Sequence, residues 1–261
     1  MKKESVLIID IGNSSIAVAL MHGLSIVKTW KLETRKNDES YYHTEIPNSL
    51  SGKKDITAIV ISSVVPELND VFEEISLTHF GCAPIILSPE MDLGIKIWYE
   101  KLSQIGVDRL ANAYGAVKLY SAPAIIIDFG TAITFDIVNQ AGDYLGGVIA
   151  PGMGVARDAL YRQASLLPWV NITKPEVVLG QDTIGAMESG LYWGFLGLIK
   201  ELLTKIKEEV FSNNDVLTIA TGGYITYFIR DLPEINKFDA HLTLKGVKLL
   251  YDYVTRNKSS F

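Results

Sequence analysis

An echo inside the chain limits its fold more than any other feature. Residues 6–20 read VLIIDIGNSSIAVAL and residues 125–135 read IIIDFGTAITF. In both, an apolar run ends in Asp, an apolar residue, Gly and small polar residues, and then an apolar run resumes. Asp10 falls on Asp128 and Gly12 on Gly130 at a constant offset of 118. Each segment alone reads as a β-hairpin, because Gly12-Asn13-Ser14 supplies turn chemistry between period-two runs of Val and Ile. A hairpin explains the glycine and leaves the aspartate open, since a carboxylate at the end of a buried run is costly without a partner. An offset near half of the 261 residues is what a duplicated domain produces.

Similar material follows each copy. After the first come strand-like runs at 26–32 and 58–63, and after the second come runs at 144–149 and 216–221. The chain is therefore expected to be α/β, with two halves that each open on antiparallel strands and later add a strand and helices. The halves are 1–120 and 121–261, and no flexible linker marks the join. Helical spacing is clearest at 108–120, at 183–210 and at 244–256. The second of these carries Ile184, Met187, Leu191, Phe195, Leu198, Ile199, Leu202, Leu203, Ile206 and Val210 on one stripe, and at 1.5 Å per residue it is about 40 Å long. Residues 33–57 are polar without a clear period, either a short helix or a surface loop.

Composition narrows the function classes. With 48% hydrophobic and 21% charged residues the chain is a folded one, not a disordered one. A net charge of -6 without a long basic block disfavours nucleic acid and anionic membranes as partners. Cys82 is the single cysteine, and the four histidines show no metal spacing, so neither a disulfide nor structural zinc is expected. The short apolar stretch before Asp10 is too brief for a signal segment, and nothing resembles a membrane span; a cytosolic protein is expected.

Two Asp-x-Gly turns from similar halves are expected to face each other across a cleft. Glycine lets backbone N–H groups approach an anion, and a nearby carboxylate holds a cation directly or through water, the pairing that a nucleoside triphosphate requires. No GxxxxGK[ST] is present, and no GxGxxG opens a helix. Thr221-Gly222-Gly223 either passes beneath an adenine or ribose or is a plain turn after a buried strand. Gly146-Gly147 and Pro151-Gly152 have the same two readings. In Gly106-Val107-Asp108-Arg109, Asp108 is a helix N-cap, or Asp108 and Arg109 together bind a hydroxyl and a carboxylate. Thr183, opening the long helix, is a cap or a ligand donor. Ile97, Trp98 and Tyr99 read as core or strand by pattern alone.

Taken together, DIGNSS at 10, ISSVVP at 61, GVDRLANAYGA at 106, IIIDFGTAITFD at 125, GGVIAPG at 146, GQDTIGAMESG at 180 and ATGGY at 220 resemble the type III pantothenate kinases. That family is a branch of the acetate kinase, sugar kinase, Hsp70 and actin superfamily. The resemblance implies two duplicated ribonuclease H-like (actin-like ATPase) halves with a nucleotide cleft. It also implies ATP-dependent phosphorylation of the primary alcohol of pantothenate, the first step towards coenzyme A. Asp108 would be the general base and Arg109 the partner of the pantothenate carboxylate. Gly106, Val107, Tyr99 and Thr183 would line the substrate pocket, Thr183 across a homodimer interface. Asp10, Ile11, Gly12, Asn13, Ser14, Ser15, Ile16 and Ala17 would cradle ATP phosphates, with Thr131, Gly222 and Gly223 also on the nucleotide. Asp10 would help position Mg²⁺, and Asp128 would bind a monovalent cation, K⁺ or NH₄⁺.

Two departures stand out. Many members place a lysine shortly after the first turn, whereas residues 10–20 here hold no Lys or Arg, and Ala17 stands there. The Tyr99 segment lacks the proline common after that tyrosine. Two other functions fit the same fold: a regulatory or accessory protein, for which GVDR or DFGT should have decayed, and a kinase for a related carboxylate-bearing alcohol. Both motifs are intact, and no basic helix-turn-helix pattern is present.

Overall fold

A computed structural model describes residues 4–50, 56–212 and 214–258. The chain forms two compact units. The first comprises Met1–Tyr120, Gly142–Tyr144 and His241–Phe261, and the second Ser121–Ala141 and Leu145–Ala240. The closing helix falls in the first unit, as do residues Gly142–Tyr144.

Strands β1 (Ser5–Ile11), β2 (Ser15–His22), β3 (Ser25–Glu33), β4 (Ala58–Ser63) and β5 (Ile85–Ile86) form one sheet in the order β3-β2-β1-β4-β5. Strands β6 (Ala124–Phe129), β7 (Ala132–Val138), β8 (Tyr144–Pro151), β9 (Leu217–Thr221) and β10 (Lys237–Phe238) form the other in the order β10-β9-β6-β7-β8. The two orders are the same topology written twice. In each sheet the Asp-bearing strand is antiparallel to the next strand and parallel to the one after the crossover. Register extends the likeness to single residues: Asp10 lies opposite Ser62, and Asp128 opposite Thr221. Each aspartate thus meets a hydroxyl residue at the same place.

Strand β1 is apolar from Val6 to Ile9 because both its faces are covered there. Leu7, Ile9 and Ile11 pack with Ile16, Val18 and Leu20 of β2, and with Tyr42 and Ile46 of helix α1 (Glu39–Ser49) and Phe72 and Ile75 of α2 (Asn69–Phe80). The polar stretch at 33–57 therefore holds a helix, capped by the Asp38 carboxylate on the N–H of Tyr41; residues 51–55 of that stretch lie outside the described ones. Val6 and Ile8, which alternate with the first set, are buried as well. Helix α6 (Leu242–Lys258) packs on β1 and β4 and against α3 (Val107–Leu119).

The second core joins Ile125, Ile127 and Phe129 of β6 to the stripe of Met187, Leu191, Phe195, Ile199, Leu203 and Ile206 on α5 (Thr183–Phe211). Helix α4 (Met153–Gln163) follows β8. Among the described residues no helix is long and apolar enough to cross a membrane.

Candidate active site

In the first unit the β1–β2 hairpin closes with the Gly12 N–H donating to the Ser15 carbonyl at 3.1 Å. Thr34, just past β3, holds the turn from outside. Its hydroxyl donates to the Gly12 carbonyl at 2.6 Å and its N–H to the Ser14 carbonyl at 3.2 Å. No motif pointed to Thr34; only the pairing of β2 with β3 reveals it. Asn13, Ser14 and Ser15 are exposed at the tip, Ile11 and Ile16 are buried beneath it, and Ala17 is half-buried. The hairpin and the anion-binding readings of DIGNSS are compatible, because a fixed turn is what presents backbone donors in a set direction.

Asp10 accepts a hydrogen bond from the Ser62 hydroxyl at 2.8 Å. Just past the end of β4, the Val64 N–H donates to the Ile11 carbonyl at 3.0 Å. A Cβ added to Gly106 would sit 3.2 Å from the Val64 side chain. The start of α3 is thus held beside the carboxyl ends of β1 and β4, where α/β sheets bind ligands.

Of the two sequence readings of Asp108, the N-cap one falls. The N-cap of α3 is Gly106, with no side-chain cap bond, and Asp108 lies inside the first turn. Its Oδ1 accepts from the Arg109 N–H at 2.8 Å. Desolvation raises the Asp108 pKa above 3.8, and it outweighs the lowering by the Arg109 N–H and guanidinium. The carboxylate folds back over Gly106, where a Cβ would stand 2.2 Å from Oδ1. Gly106→Ala is therefore expected to displace the Asp108 carboxylate at little cost to the fold. Turnover should fall while the thermal midpoint stays near that of the wild type, as paired activity and melting measurements would establish.

Arg109 is 6% exposed, with its guanidinium 5.9 Å from the ring centre of the fully buried Tyr144. Val107 is buried beside it. Tyr144 also forms a lone parallel bridge with Ile97. Trp98 donates its indole N–H to Asp143 at 3.0 Å and is 56% exposed, and Tyr99 is 36% exposed. Of the core-or-strand reading by pattern alone, Ile97 keeps the strand part through its bridge, while Trp98 and Tyr99 are exposed and not core.

In the second unit the β6–β7 turn closes with Gly130 N–H donating to the Ala132 carbonyl at 3.0 Å, and Thr131 is exposed at its tip. Two glycines crowd this turn. A Cβ on Gly152 would lie 2.3 Å from the Thr131 carbonyl. One on Gly222 (φ +90°) would lie 2.5 Å from Asp128 Oδ1 and from the Phe129 nitrogen. Gly222 is thus required by packing against the Asp-Gly turn, whatever it does for a nucleotide, while Gly223 is exposed. Thr183 opens α5 and is exposed. The cap is Asp182, whose carboxylate accepts from the Gly185 N–H at 2.7 Å, which leaves the Thr183 hydroxyl outside the capping role.

Among the described residues no group of three His, Cys, Asp or Glu gathers to hold a metal. A lone carboxylate such as Asp10, already hydrogen-bonded by Ser62, suits a hard cation that is carried mostly by phosphates and water.

These sheets and paired Asp-Gly turns make the fold that of the actin-like ATPases and sugar kinases. A solved structure from Campylobacter jejuni, assigned to the Baf family of transcriptional activators, shares it with a TM-score of 0.62 at 21% identity, over 96% of this chain and 99% of that one. A ROK family protein from Streptococcus pneumoniae shares it at 0.54 and 12%, over 98% and 99%. The family described as type III pantothenate kinase matches residues 6–205. The protein of Geobacter sulfurreducens named type III pantothenate kinase is 37% identical over 94% of this chain and 98% of its own length. The chain belongs to the type III pantothenate kinase family.

Proposed function

We propose that this chain transfers the γ-phosphoryl group of ATP to the primary hydroxyl of pantothenate, giving 4'-phosphopantothenate for coenzyme A synthesis in the cytosol. One observation within the family frame supports it most: a desolvated carboxylate, Asp108, stands beside a buried arginine at the strand ends that carry the Asp10 turn.

The substrate hydroxyl attacks the γ-phosphorus, the bond from that phosphorus to the ADP oxygen breaks, and Asp108 takes the hydroxyl proton. The transition state is loose, so most acceleration comes from alignment and charge neutralisation, and the proton moves late. A carboxylate with a raised pKa suits the role of base. Arg109 binds the pantothenate carboxylate, with Gly106, Val107 and Tyr99 lining the pocket. Residues 10–17, with Thr131, Gly222 and Gly223, form the ATP site. Asp10 would help hold Mg²⁺, which would supply neutralisation of phosphate charge, and Asp128 would hold K⁺ or NH₄⁺.

Thr183 reaches substrate as part of a homodimer. The apolar side chains near it support that assembly, since Val177, Val178, Leu179 and Ile184 are 67%, 66%, 79% and 51% exposed.

The test is ADP formation from ATP with and without pantothenate, in K⁺ and again with Na⁺ in its place. Pantothenate-dependent turnover that collapses in Na⁺ is expected. No turnover in either salt defeats the kinase reading, and turnover indifferent to the swap removes the role of Asp128.

A further inference from the structure

A triphosphate carries several negative charges, yet the β1–β2 turn and the start of β2 offer no cation from Asp10 to Leu20. The register across the sheet supplies one. Asp10 lies opposite Ala17 on β2, and Ala17 lies opposite Lys31 on β3. Ser62 on β4 completes this row of four adjacent strands. Side chains directly opposite one another share a face of the sheet. Ile9, Ile11, Ile16, Val18 and Leu32 pack into the core on one side, and Trp30 packs against it. Asp10, Ala17 and Lys31 alternate with them and share the other side. Strands lie about 4.8 Å apart, so the Lys31 backbone is two strands from that of Asp10, with only the methyl group of Ala17 between them. The four-carbon stem of a lysine reaches over such a gap and carries its ammonium to the turn.

The neighbouring cations are already engaged. Arg35 binds Glu33 at 3.1 Å and Asp38 at 3.2 Å, Lys36 pairs with Glu67 at 3.5 Å, and Lys28 donates to the Ser49 carbonyl and lies over Trp30. Lys31 is exposed and has no hydrogen bond or ion pair among the described residues. Because Arg35 occupies the Glu33 carboxylate, the nearest acid on the face of Lys31 does not capture it.

We propose that Lys31 is a phosphate-binding residue, whose ammonium crosses Ala17 to pair with the β- or γ-phosphate of ATP held at the β1–β2 turn. This rests on the kinase reading for its ligand, but it is tested by nucleotide binding alone. Dissociation constants for ATP and for AMP are measured by calorimetry on the wild type, Lys31→Gln, Lys36→Gln and the double variant Lys31→Gln with Ala17→Lys. Losing one charge-assisted phosphate contact should weaken ATP about tenfold or more and leave AMP unchanged. Lys36→Gln should match the wild type. The double variant, which returns an ammonium to the same face one strand closer, should recover ATP affinity. The proposal is overturned if Lys31→Gln binds ATP as the wild type does, if it loses AMP as much as ATP, or if Lys36→Gln shows the same loss. Absence of ATP binding by the wild type overturns both this proposal and the kinase reading. ATP binding without turnover on pantothenate defeats only the latter.

Discussion

Asp108→Asn should lower turnover about 10²- to 10⁴-fold while pantothenate affinity changes far less. Asparagine keeps the shape and keeps an oxygen able to accept the Arg109 N–H, so the start of α3 should remain formed; what disappears is the proton acceptor. The pKa of Asp108 adds two further expectations. Its folded-state value is raised above 3.8 by desolvation. As a base it works only when ionised, so wild-type turnover should rise with pH through that elevated value, and the variant should lack the limb. For stability the sign is opposite to that of a salt-bridged aspartate. The folded state holds the proton more tightly than the unfolded chain, so the ionised carboxylate opposes folding. That cost begins as pH rises past the unfolded value and is complete above the folded one. At neutral pH the asparagine variant should therefore melt at or above the wild-type temperature. A lowered melting point with near-normal turnover would make Asp108 a structural residue of the helix start.

Gly246→Ala should have the largest effect on the fold. The added Cβ would lie 1.9 Å from the Ala111 carbonyl oxygen and 2.5 Å from its carbon, both backbone atoms of α3. Gly115 completes the close crossing, since its own Cβ would fall 3.1 Å from the Gly246 Cα. Alanine favours a helix over glycine by about 1 kcal/mol, but fixed backbone cannot yield as a side chain does. Overpacking of this kind costs about 1–3 kcal/mol, occasionally more, and the clash should win. Because α3 carries Asp108 and Arg109, a shifted helix should also cost activity. Denaturant unfolding and turnover measured on one preparation would reveal both losses; a variant of unchanged or greater stability would mean that the two helices are not packed this closely.

The duplication was legible because it is written in residues that must recur: an aspartate at a strand end and a glycine two positions on. The matching topology of the two sheets follows from that echo and from the runs after it. The hydroxyl beside each aspartate was not legible, since Ser62 and Thr221 reach Asp10 and Asp128 through parallel pairing across long crossovers. The two readings of Asp108 could not be separated in sequence because Asp is a common N-cap; in the fold glycine takes that place and the Asp108 carboxylate folds back over it. Thr34 and Lys31 had no motif at all, as their importance comes from the strand beside the turn and not from the turn itself. Gly222 and Gly152 read either as nucleotide contacts or as turn glycines; the contacts that exclude a side chain from them lie on a hairpin distant in sequence.

Phosphorus NMR of a reaction containing the protein, ATP, Mg²⁺, K⁺ and pantothenate tests the central claim most directly. A phosphomonoester resonance should grow in step with ADP, only when pantothenate is present, and be reduced to a trace with Asp108→Asn. Inorganic phosphate accumulating beside unmodified pantothenate, or ATP left intact, would contradict it.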